Sequence, residues 1–137
     1  MTTQPVLRMV DAVTVPVPDL DQGIRFYRDR LGHQVLWRDD DRGQAGLSLP
    51  ESRTELVLCT DLDYAPNWLV TSVDAAVSII VASGGAVLSE PIEIPVGRLA
   101  VVSDPFNNPL VVLDLSTGTY ATDDTGRVTG VVPQRDR

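Results

Sequence analysis

The sequence predicts an α+β chain in which one strand–helix–three-strand unit is written twice. Alternating valines, Val13, Val15 and Val17, run into an aspartate cap and a helical pattern that stops at Gly32. The same order returns from Trp68 to a stop at Gly84 and Gly85, and three short apolar runs follow each helical pattern. A shift of 53 residues lays Val17 on Val70, Asp21 on Asp74, Ile24 on Val77 and Gly32 on Gly85.

In the first copy, Val13, Val15 and Val17 alternate with Ala12, Thr14 and Pro16, the period of two that marks a half-buried strand. Asp19 stands at the N-cap with Gln22 three residues on, as in a capping box, and Leu20, Ile24, Tyr27 and Leu31 fall at helical spacing. VLWRD, AGLSL and ELVLC come next as short strands, divided by the turn residues DDDRG and PESR. In the second copy WLV reads as a strand, Ser72 as a cap and DAAVSIIVAS as a helix, and AVLSEPI, RLAVVS and LVVLDL supply the three strands. This pattern sets the boundaries: an extension at 1–9, a first module at 10–60, a linker at 61–66 and a second module at 67–115. Residues 116–137, rich in Thr, Gly and Asp, read as a polar tail, mobile or lying over a neighbouring subunit. Each copy makes a curved sheet with its helix on one face and leaves the other face in need of a partner. Two copies side by side form a trough, the concave and partly apolar shape that small molecules prefer.

Composition narrows the function. With 137 residues, 43% of them hydrophobic, the chain buries the core of one globular domain. No apolar run reaches the roughly 18 residues of a membrane span. The stretch MTTQPVLRMV lacks a basic start followed by an apolar run, so no secretory signal is readable and the cytoplasm is the expected compartment. A net charge of −8 repels phosphate backbones, which excludes nucleic acid as the expected partner and favours a cationic or neutral small molecule. The single cysteine, Cys59, rules out an intrachain disulfide and a thiolate-rich zinc site, and its apolar run ELVLC reads as a buried structural thiol. No GxSxG, P-loop or dinucleotide fingerprint is present.

The stretches VPVPDLDQGIRFYRDRLG, VDAAVSIIVASGG and SDPFNNPLVVLDL resemble the signature of the vicinal oxygen chelate superfamily, over residues 10–115. That group includes glyoxalase I, extradiol dioxygenases, fosfomycin-resistance transferases and bleomycin-resistance proteins. The resemblance implies paired βαβββ modules around a cleft that binds a small molecule. In its enzymes a divalent metal is held by His, Gln or Glu on strands of both modules. Here the matching positions carry Ala12, Ala65, 53 residues further on, and Val111; only Glu55 retains a donor. Methyl and isopropyl groups have no lone pair, and one carboxylate does not replace three ligands, so neither metal nor cofactor is expected. The only histidine, His33, lies just past the helix stop and is expected to be exposed.

Period-two alternation assigns the faces. Ala12 and Thr14 face the trough while the valines pass under the helix; Glu55, Val57 and Cys59 share one face, as do Val111, Leu113 and Leu115. Trp37 is the side chain most able to grip a flat ligand, whereas the parity of Trp68 points it toward a helix and Phe26 and Tyr27 read as packing residues. Phe106, in the turn DPFNNP, either closes an open end of the trough or sits exposed, and Arg98 either meets an anionic or carbonyl group or is plain soluble surface. Arg38 with Asp39, Asp40 and Asp41 reads as a solvated hairpin loop. The expected ligand-binding set is therefore Ala12, Thr14, Trp37, Glu55, Val57, Cys59, Arg98, Phe106 and Val111, with no catalytic residue. Glu55, desolvated in an apolar trough, is the one carboxylate placed for acid–base work. The expected function is metal-free binding of a drug or metabolite between the modules of a cytoplasmic homodimer, as in antibiotic resistance by sequestration. The rival is a metal-dependent lyase, isomerase or dioxygenase with relocated ligands. A third reading is an interaction module whose trough is filled by its own side chains.

Overall fold

The structure, a computed structural model, describes residues 4–133. The chain divides into two compact units. The first comprises Asp11–Pro66 with Tyr120–Gly130; the second comprises Asn67–Thr119 with the described residues at both ends of the chain.

The first unit is built on β1 (Met9–Pro16), α1 (Leu20–Ile24), β2 (Val35–Asp39), β3 (Gln44–Leu49) and β4 (Ser52–Cys59). Its sheet runs β2-β3-β4-β1, with β4 parallel to β1 and the other pairs antiparallel. Leu20 and Ile24 pack on Ala45, Leu47 and Leu58, joined by Val15 and Val17, so these two of the three alternating valines lie under the helix. Asp19 caps α1 by accepting from the Gln22 N–H at 2.8 Å, and the Gln22 side chain bonds back to it. The helix departs from the expected pattern after Ile24, where it widens into a π-helix over Arg25–Arg30. The Leu31 N–H there reaches back five residues to the Phe26 carbonyl at 3.1 Å. The wider turns rotate the end of the helix, and Leu31, expected on the apolar face, is 52% exposed.

The second unit repeats the plan with β5 (Ala65–Leu69), α2 (Val73–Ala82), β6 (Ala86–Ile94), β7 (Gly97–Ser103) and β8 (Pro109–Leu113). Its strand order is β6-β7-β8-β5, again with the last strand parallel to the first. Each copy is therefore a βαβββ unit with one topology, and the chain is α+β as expected. Val70, Val73 and Ala76 pack on Ala100 and Val112, with Trp68, Val6 and Leu7 at the margin, which places Trp68 against the helix side.

The segment read as a polar tail carries two further strands, β9 (Thr119–Thr122) and β10 (Val128–Val132), paired with each other. Its end, 134–137, lies outside the described residues. Asp123 makes the turn, its carboxylate accepting from the Thr125 N–H, the Thr125 hydroxyl and the Arg127 N–H, while Gly126 takes φ +86°. No helix among the described residues is long and apolar enough to cross a membrane.

Candidate functional site

The face of the first unit turned away from α1 gathers the site. Register pairs Ala12 with Glu55, Thr14 with Val57 and Pro16 with Cys59, and alternation sends Ala12, Thr14, Glu55, Val57 and Cys59 to this one face. By simple alternation Trp37 would share a face with Val35, which packs under the helix. The register shift between Val35 and Trp37 breaks that parity: one extra residue on β2 turns Trp37 to the opposite side, against Ala12 and Val57.

The indole lies across Gly46 of β3. A Cβ at that position would overlap Nε1 of Trp37 and stand 2.8 Å from Oε1 of Glu55, so only glycine lets the ring settle there. Trp37 donates its Nε1–H to Glu55 Oε1 at 2.6 Å and is 8% exposed. Gly46 and Trp37 are cross-strand partners, which explains why the ring falls on the glycine.

The hairpin of β9 and β10 supplies the cover. Tyr120 stacks on Trp37 with ring centroids 4.7 Å apart and planes tilted by 42°, and Val128 joins the same cluster. At the tip, the Arg38 N–H donates to the Gly126 carbonyl at 2.9 Å. Arg127 pairs with Asp40, which also accepts from Arg38 Nε at 2.7 Å, and Arg38 reaches Asp21 at 3.0 Å. The loop expected to be merely solvated is thus the anchor of the hairpin.

Burial sets the electrostatics of this face. It pushes the pKa of Glu55 up, the Trp37 hydrogen bond pulls it partly back, and the charge of Asp11 adds to the rise. Asp11 is pushed up by burial as well. Burial raises Tyr120, opposed by Arg42 and reinforced by Asp39 and Glu55. Burial also raises the thiol of Cys59, which is fully enclosed and donates to the Leu62 carbonyl at 3.5 Å.

The other expected residues divide. Thr14 is buried with its hydroxyl committed to the Asp63 carbonyl at 2.7 Å. Val111 belongs to the second unit, paired with Asn67 and Val101 on the face opposite α2. Arg98 shares its parity with Ala100, so it lies on the α2 side, where its guanidinium meets Asp74 of that helix at 3.3 Å. Phe106 is 79% exposed at the tip of a turn that Asp104 ties to Asn108. His33 is half-buried rather than exposed, with Nδ1 placed 3.0 Å from the Ser48 carbonyl. Gly46, Tyr120 and Val128 were not among the expected residues. The signal for the last two was present in a DDTG turn between TYAT and VTGVV.

These donors do not fit a catalytic metal. Ala12, Ala65 and Val111 offer hydrocarbon, and the carboxylate of Glu55 is engaged by Trp37. Among the described residues no three His, Cys, Asp or Glu side chains stand close enough to share an ion.

A duplicated βαβββ unit with one helix-free face carrying an aromatic–carboxylate pair defines a two-module α+β protein. The sequence supplies the family: a model of the Glyoxalase/Bleomycin resistance protein/Dioxygenase superfamily matches residues 9–112, and the chain belongs to that superfamily. An uncharacterized protein of Mycolicibacterium smegmatis is 34% identical over 108 residues, covering 74% of this chain and 90% of the relative. Methylmalonyl-CoA epimerase from Mycobacterium tuberculosis superposes with a TM-score of 0.66 at 21% identity, over 83% of this chain and 92% of that one. The epimerase of Streptomyces coelicolor gives 0.63 at 20% identity, over 79% and 97% of the two chains. At these identities the likeness is one of fold.

Proposed function

We propose that this protein binds a small organic molecule without a metal, on the Trp37–Glu55 face of its first unit, and that it acts by holding the molecule rather than converting it. The hydrogen bond from Trp37 to Glu55 carries the reading: the one donor retained at a family metal position is spent on an indole, beside an alanine. Ala12 and Val57 give the face an aliphatic floor, Trp37 a stacking surface and Glu55 a hydrogen-bond acceptor. Sequestration of a drug or metabolite in the cytoplasm by a homodimer accords with this chemistry. Leu88 and Ile92, exposed on the edge strand β6, offer apolar surface for pairing two copies.

Thermal-shift measurements with manganese, zinc, glutathione, a cationic glycopeptide and small aromatic amines test the proposal. An organic member of the panel is expected to raise the melting temperature, and Trp37→Ala to abolish that rise, while the metals leave it unmoved. Stabilisation by a metal and by none of the organic compounds contradicts the proposal.

A further inference from the structure

Any guest that stacks on Trp37 must first contend with what already lies there. The indole rests across Gly46 on the sheet and carries the Tyr120 ring at 4.7 Å. The sheet side is closed by backbone, so the stacking surface is the one Tyr120 uses. We infer that Tyr120 occupies the place of the guest: the site takes a planar aromatic molecule bearing an N–H donor or a cationic nitrogen, which displaces the β9–β10 hairpin and stacks on Trp37. The inference rests on the metal-free binding reading and names the ligand class for the same face.

Three observations support it beyond the stacking itself. The fastenings of the hairpin are ones that yield: a two-stranded ribbon is marginal alone, and its ion pair joins Arg127, 61% exposed, to Asp40, 40% exposed. The Arg38–Gly126 backbone bond, the single parallel bridge between Arg38 and Arg127, and the contact of Val128 add to these. Next, the acceptor is in place, because Glu55 uses Oε1 for Trp37 and its second oxygen accepts from no donor among the described residues. Finally, carboxylates stand near both rings, with Asp11 acting on Glu55, and with Asp39 and Glu55 acting on Tyr120 against the opposing charge of Arg42. A ring replaces a ring, and its nitrogen meets a carboxylate.

The probe is 9-aminoacridine, a planar cation with N–H donors whose own emission reports binding. The full-length chain is expected to bind it, Tyr120→Ala about tenfold more tightly because the competitor is gone, and Trp37→Ala about tenfold more weakly. Tyr120→Phe keeps the ring and should bind as the wild type does, and melting curves of all variants verify that they are folded. Hydrogen exchange should show the amides of β9 and β10 losing protection when the probe binds the wild type. Weaker binding by Tyr120→Ala, unchanged hairpin protection, or binding that survives Trp37→Ala overturns the inference. Binding to neither the wild type nor Tyr120→Ala overturns the ligand class and marks the covered face as internal packing. A stoichiometric metal in the purified protein overturns the underlying reading instead, so the two failures are distinguishable.

Discussion

Glu55 sits under opposing demands, and they determine its behaviour with pH. Burial makes its charge costly, the Trp37 N–H repays part of that cost, and Asp11 adds repulsion, leaving its pKa above the ordinary value. A carboxyl with a raised folded pKa binds more protons folded than unfolded. Stability therefore falls as pH climbs from the unfolded value, about 4.3, through the folded one, and stays lower above it. Glu55→Gln keeps an oxygen for Trp37 and removes the charge. Its melting temperature should exceed that of the wild type at about pH 7, with the gap closing toward about pH 3, where both side chains are neutral. Thermal melts across that range check this, and a variant less stable than the wild type at neutral pH contradicts it. At this scale the sequence showed the identity of the face, since Ala12, Glu55 and Val57 are placed by alternation alone. It did not show why Trp37 joins them, because a bulge and a bare Gly46 on the neighbouring strand are needed to bring the indole down.

Elements are tied together by buried polar groups that no periodicity announces. Asp114, just past β8 and 3% exposed, accepts from the Val73 N–H at the start of α2 at 2.8 Å and from the Arg98 N–H on β7 at 3.0 Å. It also accepts from the hydroxyl of Ser116 at 2.7 Å. Burial alone would raise its pKa, but the bonds from Val73, Ser116 and Arg98 outweigh that and hold it below the ordinary range. Its contribution is thus present above the unfolded value of about 3.9 and is lost as pH falls through the folded one. Asp114→Ala leaves buried N–H groups without an acceptor and should cost about 3 kcal/mol in denaturant unfolding. A loss below about 0.5 kcal/mol would show that the tie is dispensable. The caps at Asp19 and Ser72 were legible because a cap is local: side chain and N–H stand three residues apart. The π-helix was not, and the β9–β10 hairpin was legible in its turn but not in its packing. The first keeps helical spacing in its sequence while changing its hydrogen bonds. The second has too little apolar content to stand alone and acquires its role by laying Tyr120 on a tryptophan distant in sequence.

Across the whole chain, duplication is the fact that the sequence carried best. The shift of 53 residues reappears as two runs of four strands in one order, β2-β3-β4-β1 and β6-β7-β8-β5. Strand order depends on which edges the apolar alternation buries, so a repeat in pattern becomes a repeat in topology. The same shift pairs Ala12 with Ala65, so a methyl group stands at the matching position of both copies. The proposed metal-free binding follows from that pairing, since a methyl group has no lone pair to give a cation. Elemental analysis of the protein purified without chelators, then dialysed against manganese, zinc and nickel, tests it directly. The expected result is far less than one ion per chain in every case. One tightly held ion per chain, released only with unfolding, would contradict a face built to bind without a metal.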